Sequence, residues 1–224
     1  MTAIPPPRTT AGVLPLQLVT RVEDGEKLHA LIWRAGTGWR MISSAVLGGG
    51  VGERAWVLNA QVSHGYRRTD PARHLAGLAR GEGLRGPGVG LMTAADVQAY
   101  GRAHDGGVEA VATAGLGVRG WAASPARGTV APTGPGTINV VAALPVALTD
   151  AALVNAVATA TEAKVQALLD EGYDCSGTPT DAVCVAARVP RPGEEAQQFA
   201  GPRSLWGARL ARAVHASVRT AAAP

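Results

Sequence analysis

The stretch from Gly136 to Val189 constrains the fold more than any other part of the chain. It opens on Gly136-Thr137-Ile138-Asn139-Val140-Val141 and continues as an apolar strand. A helix start at Thr149-Asp150 follows, then a helical stripe of Leu153, Val157, Ala160, Lys164, Ala167 and Leu168 that runs to Gly172. After it come a compact polar turn, Cys175-Ser176-Gly177-Thr178-Pro179-Thr180-Asp181, and a second apolar strand, Ala182–Val189. Strand, helix and strand in this order make one β-α-β unit. Hydroxyl- and Gly-rich turns stand at both of its strand starts. A threonine at the first residue of a buried strand, with glycine before it, can hold a hydroxyl still and let a substrate approach closely. The same dipeptide can simply begin a strand, and spacing alone leaves both readings open.

Upstream, the signals are mostly for strands. Leu28–Arg34 and Trp39–Val46 read as two strands joined across Ala35-Gly36-Thr37-Gly38 as a hairpin. The run Leu47–Gly52 reads as a flexible turn. Further strands are expected at Ala55–Val62, Val89–Ala94 and Val108–Ala114, the last two linked by a polar segment holding His104-Asp105-Gly106-Gly107. Asp70 as N-cap with Pro71 at the first helical position starts a helix that ends by Gly81. A last helix is expected over Ser204–Ser217. Short links between early strands imply antiparallel pairing, so the expected class is α+β: a single domain of mainly antiparallel sheet flanked by helices. Residues 1–12 are Pro/Thr-rich and read as a flexible segment before a domain at 13–224. The loop Gly115–Pro135 is long enough to be functional or mobile.

Composition narrows the function classes. At 224 residues the chain can bury a substantial core, and with 46 % apolar but only 4 % aromatic residues that core must be Ala, Val and Leu. A net charge of +4 is spread without a basic run or interleaved aromatics, which argues against nucleic acid as partner. Cys175 and Cys184 imply no disulfide framework, and without a Cys/His cluster no metal site is expected. No secretory leader and no apolar run of spanning length is legible, so the expectation is a cytoplasmic protein without membrane insertion. Oligomeric state is left open.

Several polar residues stand out. The glycines at 48–52 lack the endings of phosphate-binding loops and read instead as a close approach of backbone to ligand or loop. Asn59 inside an apolar strand is either a satisfied core amide or one that binds ligand or stabilises an oxyanion. Glu162 is a desolvated acid or base if it points inward and a surface residue if it points out. Thr178, Thr180 and Asp181 cluster hydroxyls with one carboxylate, as a site or as an Asx-type turn.

Seven segments in order resemble the adenosylcobinamide amidohydrolase family. They are Ser43–Gly50 (SSAVLGGG), Val57–Val62 (VLNAQV), Val89–Val97 (VGLMTAADV), Glu109–Leu116 (EAVATAGL), Gly136–Asn139 (GTIN), Ser176–Val183 (SGTPTDAV) and Ala200–Gly207 (AGPRSLWG). The chain departs from the family's Ala-Gly-Leu-x-Asn by carrying Val118 at the asparagine's place. The resemblance implies hydrolysis, in cobalamin (vitamin B12) salvage, of the amide joining the corrin propionyl arm of adenosylcobinamide to aminopropanol, giving adenosylcobyric acid. No cofactor is implied, because cobalt arrives with the corrinoid. A second likeness, over residues 134–188, is to β-aminopeptidase and ornithine acetyltransferase-like proteins. It implies a layered α/β/β/α sandwich and places Thr137 where those proteins carry a nucleophile freed by self-cleavage.

Together these readings make Thr137 the residue that supplies or positions the attacking oxygen. Asn59, Asn139 and the backbone N–H groups of Gly48, Gly49 and Gly50 are the expected oxyanion donors. Glu162 or Asp181 is the expected base or its orienting partner. Tyr66, His74 and the 115–135 loop are the expected cleft walls, with Thr113, Thr178 and Thr180 as further substrate contacts. The expectation is an uncleaved Gly136–Thr137 bond, so that a side-chain base serves the Thr137 hydroxyl or else water attacks. A non-catalytic corrinoid-binding protein and a Thr-nucleophile peptidase or acyltransferase are the alternatives.

Overall fold

The computed structural model of the chain describes residues 12–125 and 136–223. The segment 1–11 and the second part of the long loop, 126–135, lie outside the described residues. Ten strands and three helices follow in order: β1 (Leu16–Glu23), β2 (Glu26–Trp33), β3 (Trp39–Ser43), β4 (Gly50–Glu53), β5 (Trp56–Gln61), α1 (Pro71–Gly81), β6 (Gly88–Thr93), β7 (Gly101–Asp105), β8 (Val108–Leu116), β9 (Gly136–Ala147), α2 (Asp150–Asp170), β10 (Ala182–Arg188) and α3 (Leu205–Ala222).

They form two facing sheets, of order β1-β2-β5-β6 and β4-β3-β10-β9-β8-β7. Each sheet holds one parallel pair, β5/β6 and β9/β10, and each pair is closed by its own crossover helix. The other pairings are antiparallel. α1 lies on the outer face of the smaller sheet, with Leu75 and Ala79 against Ile32 and Leu58. The inter-sheet layer is filled by Leu31, Trp33, Trp39, Val57, Leu91, Val141 and Cys184. α2 and α3 cover the larger sheet, where Leu153, Ala160, Leu210 and Val214 meet Val140, Leu144 and Val185. The result is an α/β/β/α sandwich. β9 is covered on both faces, which is why its sequence is almost unbroken apolar rather than alternating.

α2 starts where its sequence says. The Thr149 side chain accepts from Ala152 N at 3.2 Å, and Asp150 sits in the first turn, favourable to the helix dipole. α1 starts at Pro71 as expected, but Asp70 makes no side-chain cap; its carboxylate binds Arg68 instead, at 2.9 Å. The expected hairpin across residues 35–38 is corrected. β2 pairs with β1 and β5, β3 pairs with β10 and β4, and the linker carries the chain from one sheet to the other. Positive φ at Gly36 and Gly38 allows that turn, and Trp33 and Trp39 then meet edge-on at 4.8 Å between the sheets. The hairpin lies earlier, β1 to β2 across Asp24-Gly25, both at positive φ. The flexible turn expected at 47–52 in part forms β4, and the polar link before β8 forms β7. β4 and β7 are edge strands.

Cys175 and Cys184 are buried and unpaired. Burial pushes the Cys184 thiol up to about 12 and raises Cys175 as well. Because the thiolate is the reactive form, neither cysteine should be modified by a thiol reagent in the folded protein near pH 8. Both should react in denaturant, read as added mass per chain. Rapid labelling of either in the native protein would contradict this packing.

Candidate active site

A cleft of about 700 Å³ opens at one end of the sandwich, between the two sheets. Its walls come from the C-terminal ends of β5 and β6 and the N-terminal ends of β9 and β10. The first pair brings Val62, Ser63, His64, Met92 and Thr93; the second brings Thr137, Asn139, Thr180, Asp181 and Ala182. Ser44 and Val46, just after β3, and Tyr66 and Pro71, before and at the start of α1, complete the rim. Four chain segments that end or begin at the same level leave a concave space that no side chain among the described residues fills, the usual place for a ligand. The lining is rich in hydroxyls and carries little charge.

The floor is organised by Asp181. Its Oδ1 accepts from Ile138 N at 2.8 Å and from the Thr178 hydroxyl at 2.5 Å. Its Oδ2 accepts from Thr178 N at 3.2 Å and pairs with Lys164 Nζ. These contacts take all the lone-pair sites a carboxylate offers. Lys164 is buried in α2, so the pair ties helix, turn and β9 start at one point. Gly177 is required there: its φ is +149, and a Cβ would lie 2.3 Å from Asp181 Oδ2 and 2.6 Å from Lys164 Nζ.

Beside this cluster the hydroxyls form a directed chain. Thr180 Oγ1 donates to the Gly136 carbonyl at 2.8 Å. Its single proton being used, the 2.5 Å contact between the two threonine hydroxyls must have Thr137 as donor. Both lone pairs of Thr137 Oγ1 are thereby left toward the cleft. The proton of Thr137 leads to an amide carbonyl, which cannot keep it.

Behind the floor a polar ladder crosses between the sheets. Asn139 Nδ2 donates to Asn59 Oδ1 at 2.8 Å and to the Met92 carbonyl at 3.0 Å, and Asn59 Nδ2 donates to Thr113 Oγ1 at 3.0 Å. The Met92 carbonyl accepts only, so it fixes which way the Asn139 amide points. Asn139 Oδ1 has no donor among the described residues. On the rim, Tyr66 OH lies 3.1 Å from His74 Nδ1, and His74 Nε2 lies 2.8 Å from Glu23 Oε1. Burial raises the Tyr66 phenol above its usual range, against the lowering effect of Arg68.

A model of the adenosylcobinamide amidohydrolase family matches residues 15–224. The chain belongs to that family. It is 32 % identical over 177 residues to an adenosylcobinamide amidohydrolase of Methanosarcina mazei, covering 76 % of this chain and 84 % of that protein. An adenosylcobinamide amidohydrolase of Halobacterium salinarum is 45 % identical over 86 residues, 38 % of this chain and 35 % of the other.

Within this member of the family, the structure sorts the expected site residues. Thr137, Asn139, Thr180, Asp181 and Tyr66 meet at the cleft, but Asn139 is not the expected oxyanion donor, because Asn59 and Met92 take both of its Nδ2 protons. Asn59 and Thr113 are buried one layer beneath it, Asn59 bonded to both Asn139 and Thr113, so neither reaches a ligand. His74 stands behind Tyr66 rather than on the wall. The Thr178 hydroxyl is turned onto Asp181. Other expectations are corrected as well. Glu162 is exposed on the outer face of α2, because the inward positions of the stripe at that turn are Ala163 and Lys164. Gly48, Gly49 and Gly50 lie away from the cleft; Gly48 packs on β6, where a Cβ would fall 1.9 Å from the Gly88 carbonyl. Of the long loop, the described part Val118–Ala122 lines a separate hollow on the other side of Asp181, and residues 126–135 lie outside the described residues.

Ser44, Ser63 and Thr93 were not singled out in sequence, although Ser44 and Thr93 lie within the family-like segments; His64 stands out there with His74 as a histidine near other polar residues. Ser44 Oγ accepts from Val183 N at 3.1 Å and Thr93 Oγ1 from Ala95 N at 3.0 Å. Each therefore keeps its proton for a ligand.

Asp181→Ala would leave Lys164 as an uncompensated buried charge and should cost about 3–5 kcal/mol of stability. Adding Lys164→Met to it should recover a large part of that loss. Denaturant unfolding of the two singles and the double reads the coupling; additive losses would refute a buried pair.

Proposed function

We propose that this protein hydrolyses the amide between the corrin propionyl arm and aminopropanol in adenosylcobinamide, giving adenosylcobyric acid. The observation that carries the reading is the hydroxyl-lined cleft with Thr137 at its floor, in a chain that matches the family from residue 15 to 224. The relatives named above carry the same activity in their names. A volume of about 700 Å³ suits the aminopropanol arm and one edge of the corrin, with the rest of the ring lying across the mouth. Cobalt belongs to the substrate, and the reaction needs no dissociable cofactor.

In this reading water is the nucleophile. The Thr137 hydroxyl chain ends on a carbonyl and the Asp181 carboxylate is fully engaged, so neither supplies a base to Thr137. Thr137 Oγ1 instead accepts a hydrogen bond from the attacking water and holds it over the scissile carbonyl. Ser44 and Thr93, with uncommitted hydroxyl protons, face the developing oxyanion. Asp181 and Lys164 keep the start of β9 in place, and the Gly136–Thr137 bond stays whole.

Incubation of the purified protein with adenosylcobinamide should release free aminopropanol and adenosylcobyric acid, both followed by mass. Binding without release would mark a corrinoid carrier instead. Cleavage of small amide or peptide substrates with indifference to corrinoids would mark a peptidase. Thr137→Ala should lower kcat about 100-fold while Thr137→Ser keeps most of it. An acyl adduct on Thr137, or two fragments meeting at Gly136/Thr137, would overturn the water mechanism.

A further inference from the structure

The chemistry proposed above lacks a base on the Thr137 side of the cleft. The opposite wall holds one. Glu23 closes β1, His74 lies in the first turns of α1, and Tyr66 stands on the loop between β5 and α1. Their order is carboxylate, imidazole, phenol: Glu23 Oε1 to His74 Nε2 at 2.8 Å, then His74 Nδ1 to Tyr66 OH at 3.1 Å. The carboxylate accepts only, so His74 carries its proton on Nε2, and Nδ1 is left to accept from the Tyr66 hydroxyl. That leaves the lone pairs of the Tyr66 oxygen for the cleft, which Tyr66 lines together with Thr137.

The arrangement is tightly held. His74 is buried, its ring within 13° of parallel to that of Tyr66. Glu23 is fixed from its other side by Arg21, 3.1 Å away, whose guanidinium also donates to the His29 carbonyl at 3.0 Å and to the Gln61 carbonyl. Such a row differs from a histidine merely satisfied in a core, because its last member opens on the cleft.

We propose that Glu23, His74 and Tyr66 form a proton relay in which Tyr66 is the catalytic acid–base group of the amide hydrolysis and His74 and Glu23 position and recharge it. The inference rests on the hydrolytic reading above. As water adds to the carbonyl carbon, its proton passes to the Tyr66 oxygen while the phenolic proton moves to His74 Nδ1. The imidazolium is held by Glu23, as in the serine-protease arrangement of imidazole and carboxylate. When the tetrahedral intermediate collapses, the C–N bond breaks and its electron pair stays on nitrogen. His74 then returns its proton to Tyr66, and Tyr66 delivers one to the departing amine. Water is consumed, acid and amine are formed, and the relay ends as it began. Because burial disfavours a free phenolate, the two transfers through Tyr66 occur together rather than by prior ionisation.

His64 is the rival. It also lines the cleft, but it is exposed and makes no hydrogen bond among the described residues, so nothing orients its ring.

The test uses the full chain with adenosylcobinamide. Tyr66→Phe keeps the ring against His74 and should lower kcat about 100-fold or more with KM and melting temperature little changed. His74→Gln should lower kcat to a similar extent, and Glu23→Gln less. A solvent deuterium effect on kcat in the wild type should shrink in Tyr66→Phe. His64→Ala should leave the solvent deuterium effect on kcat at its wild-type size, whatever it does to KM. The relay is overturned if Tyr66→Phe keeps wild-type kcat, if its loss lies wholly in KM or stability, or if His64→Ala carries the defect instead. Should the wild type release no aminopropanol at all, the hydrolytic reading falls and takes the relay with it.

Discussion

Everything around the cleft depends on one buried ion pair. Lys164 comes from the inner face of a helix and Asp181 from the turn that follows it. An ammonium and a carboxylate are expensive to bury, and what repays it is completeness: the carboxylate also receives Ile138 N, Thr178 N and the Thr178 hydroxyl. The donors come from three pieces of chain, α2, the start of β9 and the turn before β10, so the cluster fixes the starts of β9 and β10 relative to each other and to α2. Thr137 and Thr180, one residue away on either side, inherit that rigidity. This is the support a reacting water needs if it is to be held within a fraction of an ångström.

The sandwich places this rigid floor opposite a wall of different origin. The smaller sheet contributes the ends of β5 and β6, and the loop after β5 and the helix α1 bring Tyr66 and His74 close above them. Two parallel strand pairs, one in each sheet, end at the same level, and a cleft is what remains between them. The Asn139–Asn59–Thr113 ladder keeps the two sheets in register just below it. Its amides and hydroxyl are so placed that one acceptor, Asn139 Oδ1, is left without a donor at the level of the cleft. A buried unpaired acceptor is costly, and a site that binds an N–H is where such a cost is recovered.

The distribution of charge separates binding from proton transfer. On the Thr137 side, Lys164 and Asp181 neutralise each other and are saturated, so that wall presents hydroxyls. The titratable groups that remain available stand on the Tyr66 side. A neutral amide held between the two walls would face hydroxyls on one side and the Tyr66–His74–Glu23 row on the other.

Sequence by itself determined much of this molecule. The β-α-β unit from Gly136 to Arg188 was legible because its buried strands leave long apolar runs, and Thr149 and Ser204 mark helix starts by local capping chemistry. The family was legible because seven short segments kept their order. The edge strands β1, β4 and β7 were not, since half-exposed residues carry no clean alternation; even so, Asp24-Gly25 held a hairpin signal that went unread. What only the tertiary structure decided was contact at long range. Glu162 and Lys164 are neighbours on one helix, and which of them turns inward depends on whether Asp181 waits there. Glu23, His74 and Tyr66 are scattered along the chain and become a row only when β1 and α1 pack beside the same loop. Periodicity reports which face of an element is buried; the partner across that face is set by the packing of elements distant in sequence.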